Sequence, residues 1–148
     1  MQFATVNRTE AEKVFIVAQN YTGAALSAGV PVEWDVVTST DGYTVTGCKS
    51  GSLASLFAGI TDATMADSAV GLIQVFGFRT SAYVSRASAG NTPGQWLQPT
   101  GQYFDAMTMS AATTSGHTFV TLMETIAASA AYSSAAQVYN QNVFIRSL

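Results

Sequence analysis

The sequence predicts a single all-β domain, a small barrel or sandwich, and three observations carry that prediction. Short apolar runs rich in β-branched and aromatic residues recur along the first two thirds of the chain. Glycine, proline and small polar residues separate them, and 148 residues suit one hydrophobic core. Short strands at such spacing belong to barrels and sandwiches.

Residues 1–13, MQFATVNRTEAEK, hold Phe3 and Val6 among polar neighbours and read as an N-terminal arm, leaving 14–148 as the β domain. VFIVAQ over 14–19 reads as a strand and 20–29 as a loop. Strand character resumes over 31–37, with Pro31 tolerated at a strand start. Trp34, between Val32 and Val36 in the alternating PVEWDV, is expected in the core. Asp41-Gly42 marks a turn ahead of Tyr43 and Val45, as in a hairpin. Two further strands, 56–60 and 72–79, flank a polar connection containing Asp62 and Asp67, read as a solvated turn. Gly71 and Gly77 bracket the second of these strands, where glycine permits a bulge or a close backbone approach.

Residues 88–101, SAGNTPGQWLQPTG, hold two prolines and three glycines and read as a long ordered loop or a boundary between sheet segments. Trp96 within it has two readings, a pin that holds the loop to the core or an intersubunit anchor. The last third is divided. Phe119, Leu122, Met123, Ile126 and Ala130 make a helical stripe, whereas Thr118, Val120, Thr121, Thr125 and Ile126 are β-branched. We take a strand over 117–127, a loop through Asn140 and a final strand over 142–146. No periodic internal repeat is evident.

Composition bears on function. Only 10% of residues are charged, against about 25% in an average globular protein, while 48% are apolar. So little surface charge points to burial against copies of the chain or a larger assembly, and oligomerisation is expected. A net charge of −3 argues against a nucleic-acid partner. The six basic residues, Arg8, Lys13, Lys49, Arg79, Arg86 and Arg146, are scattered. Arg79 and Arg86 lie along one expected strand region, as solvated edge charges or as partners for acids of a neighbouring subunit. Cys48 stands alone, which leaves no intrachain disulfide and suits a reducing cytoplasm. No signal-peptide pattern and no membrane-spanning apolar run is read, so no membrane partner is expected. The glycosylation sequons at Asn7 and Asn20 carry no weight without a secretory signal.

Catalytic chemistry finds little footing. His117 is the single histidine and no serine lies in a G-x-S-x-G elbow, so a triad with Asp105 has no pattern behind it. One cysteine and one histidine do not make a structural zinc site, and Asp62 with Asp67 lacks the spacing of a calcium loop. Gly47-Cys48-Lys49-Ser50-Gly51 departs from the order of a phosphate-binding loop. The chain is therefore read as a non-enzyme, with no catalytic, cofactor or metal residue assigned. A sugar-stacking surface built on an exposed Tyr or Trp stays open.

The order of certain pieces carries a resemblance. Ala25, Leu26, Gly29, Pro31, Val32, Trp34 and Asp35 are followed by Phe57, Ala58, Gly59 and Ile60, then by Gly71, Ile73, Gln74, Val75 and Gly77. A weaker continuation runs through Ala89, Gly90, Gly94 and Leu97 to Leu122, Met123, Glu124 and the closing VFIRSL. This series resembles the small decoration, or cement, proteins of tailed bacteriophages, over most of residues 14–148. The resemblance implies a tulip-like β fold, a homo-oligomer, most simply a trimer, and a place on the outer capsid surface of a virion after synthesis in the host cytoplasm. There it would clamp neighbouring copies of the major capsid protein once the shell has expanded. Phe3, Val6 and Arg8 of the arm are then the expected capsid contacts, and Trp96, Arg79 and Arg86 the expected intersubunit contacts. A receptor- or glycan-binding head module is the alternative.

Overall fold

One strand organises the molecule. The computed structural model describes residues 12–39, 42–48, 56–85, 90–106, 120–127 and 138–147, and among these lie nine strands and no α-helix. They are β1 (Lys13–Asn20), β2 (Pro31–Trp34), β3 (Thr44–Gly47), β4 (Phe57–Thr61), β5 (Val70–Ser85), β6 (Trp96–Thr100), β7 (Tyr103–Ala106), β8 (Val120–Leu122) and β9 (Val138–Arg146). The all-β expectation holds. The sheet runs β1-β3-β2-β4-β5-β7-β6-β8-β9, and two added pairings, β1 with β5 and β5 with β9, close it twice. The first closure makes a ring of β1, β3, β2, β4 and β5; the second makes a ring of β5, β7, β6, β8 and β9. β5, 16 residues long, belongs to both.

Each ring encloses its own apolar core. Ala18, Leu26, Val30, Val32, Val45, Ala58, Met65, Ile73 and Val75 fill the first. Ala82, Val84, Leu97, Phe104, Val120, Leu122, Ile126, Val143 and Ile145 fill the second, joined by Phe57 and Ile60 from β4. Phe57 meets Phe104 edge-on, with ring centroids 5.8 Å apart. The two barrels are thus fused through β4 as well as through β5.

The second barrel repeats the first, pairing by pairing. β1 lies parallel to β3 and β5 parallel to β7. The antiparallel pairs β2–β3, β2–β4, β4–β5 and β1–β5 recur as β6–β7, β6–β8, β8–β9 and β5–β9. Isolated bridges join Leu26 to Met65 in one and Asn91 to Ile126 in the other. The Gly29 N–H donates to the Thr61 carbonyl at 3.0 Å, and the Gly94 N–H to the Leu122 carbonyl at 2.8 Å. Gly29 and Gly94 share a φ of +85°, a left-handed turn that glycine adopts without a Cβ penalty. This duplication corrects the expectation of no internal repeat. Ala18 and Ala82, Thr64 and Thr125, and Ala66 and Ala127 are also identical, but other equivalent positions differ, as in Leu26 and Asn91, Pro31 and Trp96, or Thr61 and Leu122, so chemical identity marks the repeat only at scattered small residues.

Other boundaries move. Lys13, placed in the arm, opens β1 opposite Gly77. The stretch read as a loop over 88–101 contains β6, because Trp96 and Leu97 pair with Thr121 and Val120. Pro99 is accommodated beyond that described pairing. β9 begins at Val138 rather than residue 142. Over the ambiguous last third, β8 and the Ile126 bridge give extended structure, and both Leu122 and Ile126 enter the second core. Trp34 is only partly buried, packed against the first core at its rim. Both ends of the described chain lie at the middle of β5: Lys13 faces Gly77, and the Ser147 N–H donates to the Val75 carbonyl at 2.9 Å.

The duplication supplies its own control experiment. A Cβ at Gly29 would overlap the Ser81 carbonyl oxygen of β5, whereas one at Gly94 meets nothing within 4 Å. Gly94→Ala should therefore cost only the left-handed strain, about 1 kcal/mol. Gly29→Ala should cost about 3 kcal/mol or more, because backbone must shift as well. Urea unfolding of the two variants measures the difference, and equal losses would contradict the close packing of the barrels at Gly29.

Candidate functional site

Two surface features of the first barrel stand out among the described residues. The first is an apolar outer face. β1 and β5 put alternate residues on opposite sides of the sheet, so while Ile16, Ala18 and Ile73 point inward, Phe15, Val17, Val70 and Leu72 point out. Their exposures are 37, 57, 55 and 45%, and Val17 stands directly opposite Leu72. The equivalents on β9 follow from the matching hydrogen bonds, Asp62 N–H to the Leu72 carbonyl and Met123 N–H to the Asn142 carbonyl. Leu72 corresponds to Asn142 and Val70 to Asn140. Asn142 is further engaged by Glu124, its Nδ2 donating to Oε2 at 3.1 Å. One barrel thus carries aliphatic side chains where the other carries amides. An outward apolar stripe on a strand pair is what a partner surface covers.

The second feature is a cavity of about 280 Å³ at the barrel rim, bordered by Tyr21, Glu33, Trp34, Asp35, Val37 and Leu56 among others. It is formed where β2 leaves the barrel. Asp35 Oδ1 accepts from the N–H groups of Val37 at 3.0 Å and Thr38 at 2.9 Å, a turn that fixes the start of the 35–43 connection. Glu33 is 8% exposed, and its Oε2 has no hydrogen-bond partner among the described residues. Cys48, at the end of β3, is buried; burial first and the Glu33 charge second push its thiol far above the ordinary range. It stays protonated and has no thiolate character to offer as a nucleophile.

The residues singled out from sequence are dispersed. Arg79, expected at a subunit contact, turns into its own chain. Its Nη1 donates to Asp62 Oδ1 at 3.2 Å and Gln74 Oε1 at 3.3 Å, and its Nη2 to the Asp62 carbonyl at 3.2 Å. Gln74 in turn donates to the carbonyls of Phe76 and Phe78. Burial lowers the Arg79 pKa and the bond to Asp62 opposes that shift, so the guanidinium is an internal cation held by its counter-ion. Asp62 thus lies in an exposed bend, as expected, and is also the counter-ion of Arg79. Trp96 is 43% exposed on β6, outside the core. Phe3, Val6, Arg8, Arg86 and His117 lie outside the described residues. Asp105 accepts from the Ser85 hydroxyl. No group of three His, Cys, Asp or Glu residues with metal-binding proximity occurs among the described residues.

Asn20, given no weight as a sequon, has a structural role instead. It is fully buried and knits a loop: Nδ2 donates to the Ala24 and Ala66 carbonyls at 2.8 and 3.0 Å, and Oδ1 accepts from the Thr22 N–H at 3.0 Å. The asparagine at the end of an apolar run was the available signal. Sequence comparison finds no matching protein-family model and no match among curated proteins.

The Arg79 arrangement yields a stability prediction. Asp62→Ala strands a buried guanidinium and should cost about 2 kcal/mol, below the usual figure for a broken buried pair because Asp62 is itself partly exposed. Asp62→Asn keeps an acceptor and should recover part of the loss. Urea unfolding reads both; unaltered stability would show that Arg79 does not depend on this internal partner.

Proposed function

We propose that this protein decorates the outer surface of a phage capsid and stabilises the expanded shell by clamping neighbouring major capsid subunits, working as a homo-oligomer, most simply a trimer. The observation that carries the reading is the apolar face of Phe15, Val17, Val70 and Leu72, the last two set against the amides Asn140 and Asn142 at the equivalent β9 positions. Identity of the partner comes from the resemblance. Its best-matched residues, Ala25 to Asp35, Phe57 to Ile60 and Gly71 to Gly77, all belong to the first barrel, which also bears the face.

The physical task suits such a surface. A clamp needs area and repetition rather than reactivity, and removing apolar surface from water gives about 25 cal/mol per Å². Many copies, each with a modest interface, act together on a closed shell because every bound copy favours the assembled state by mass action. Residues 1–11, including Phe3, Val6 and Arg8, extend the proposed contact as an arm.

Leu72→Asn writes onto the first barrel the amide that Asn142 supplies in the second, and Val17→Asn makes the facing position on β1 polar as well. Both positions are exposed, so the variant should keep its circular-dichroism spectrum and melt within a few degrees of the parent. Added to shells that lack decoration, it should show at least about tenfold weaker occupancy, equivalent to about 1.4 kcal/mol, and less protection against heat. Occupancy and protection equal to those of the parent would remove the face from the clamp.

A further inference from the structure

The two barrels differ sharply in the connection that follows their second strand. Between β6 and β7 the chain turns through Gly101 and Gln102 alone, whereas the equivalent link between β2 and β3 spans residues 35–43. Elaboration at one site of a duplicated frame is where binding groups are placed without disturbing the core. That added length borders the rim cavity. Directly beside it, Glu33 is more than nine-tenths buried with Oε2 lacking a partner among the described residues.

Three properties of the cavity select a ligand class. A carboxylate removed from water is costly unless a donor, best a cation, meets it, and Glu33 and Asp35 both border this space without a described Lys or Arg in its lining. Tyr21 and Trp34 contribute aromatic rings, which attract a cation over their faces. Val36, Val37 and Leu56 make an aliphatic wall, suited to a hydrocarbon stem. A metal ion would leave the apolar wall unused, and a sugar would leave the Glu33 carboxylate un-neutralised.

We propose that the rim cavity of the first barrel is a socket for a basic side chain, a lysine or arginine presented by a partner protein. The charged head meets Glu33 at the base, the rings of Trp34 and Tyr21 flank it, and the stem lies on the valine and leucine wall. Asp35 fixes the connection and adds a second negative charge. This is a contact distinct from the apolar outer face, and it stands on the cavity alone, whichever assembly the protein joins.

The test uses the full chain with Trp96→Phe, leaving Trp34 as the single tryptophan. Its fluorescence is titrated with N-acetyl-arginine amide and N-acetyl-lysine amide, with N-acetyl-citrulline amide and methyl glucoside as uncharged comparators. The expected result is a saturable change with the basic compounds at about millimolar concentration, a range ordinary for a single side chain. The comparators should produce none. Glu33→Gln should weaken the response at least about tenfold while its melting temperature does not fall, since an unpaired buried charge has been removed. Added salt should weaken the parent's response, a readout that needs no variant. An equal response to citrulline amide or to the glycoside overturns the proposal, as does unchanged affinity in Glu33→Gln. Lys49 follows Cys48 in sequence and lies outside the described residues. A response that appears only after Lys49→Ala would give the socket to the chain's own lysine and overturn the assignment to a partner.

Discussion

The fold depends on β5 changing partners halfway along its length. Up to Gly77 it closes the first barrel against β1, and from Phe76 onward it closes the second against β9, so Phe76 and Gly77 are paired on both sides. At this handover two strands crowd one backbone, and Gly77, with φ at +102°, has no room for a Cβ against the Glu12 carbonyl. The side chains of Gln74 and Arg79 secure the same place. Gln74 holds the carbonyls of Phe76 and Phe78, Arg79 holds Gln74, and Asp62 neutralises Arg79. A buried polar network thus secures the stretch of β5 where the strand passes from one barrel to the other.

This constraint explains which parts of the sequence were legible. β1, β2, β4 and the first half of β5 were visible because Val14, Ile16, Ile60, Ile73 and Val75 alternate or cluster in β-prone runs bounded by glycine or proline. The expected hairpin is present as the antiparallel pair β2–β3, with Gly42 at φ +71° in its connection, while Asp41 lies outside the described residues. β6 was hidden because glycine and proline punctuate the stretch around it, and single-residue signals outweigh the pairings supplied by the adjacent β7 and the distant β8. The duplication was hidden because hydrogen bonds between backbone groups do not depend on side-chain identity. Asn91 serves where Leu26 serves, each bridging through its main chain.

The candidate site was legible only in part. An outward apolar stripe looks, in sequence, like any strand rich in valine and phenylalanine; the closure of β1 against β5 decides which alternate residues face out. Arg79 looked like a surface charge because nothing local announces that Asp62, across a connection, will turn toward it. Glu33 and Trp34 were seen as strand residues in PVEWDV, but a rim cavity requires Tyr21 and Leu56 to converge from elsewhere in the chain. Function in such a protein is carried by surfaces that folding assembles, and individual residue types say little about them.

Where the chain enters and leaves the described fold has a mechanical consequence. Lys13 and Ser147 both sit beside the centre of β5, so a pull transmitted through either end is applied at the waist of the molecule rather than at a tip. Such a force has almost no lever arm about the junction of the two barrels. It loads β1 and β9 along their length, where many hydrogen bonds share the strain in shear, instead of peeling them open one bond at a time.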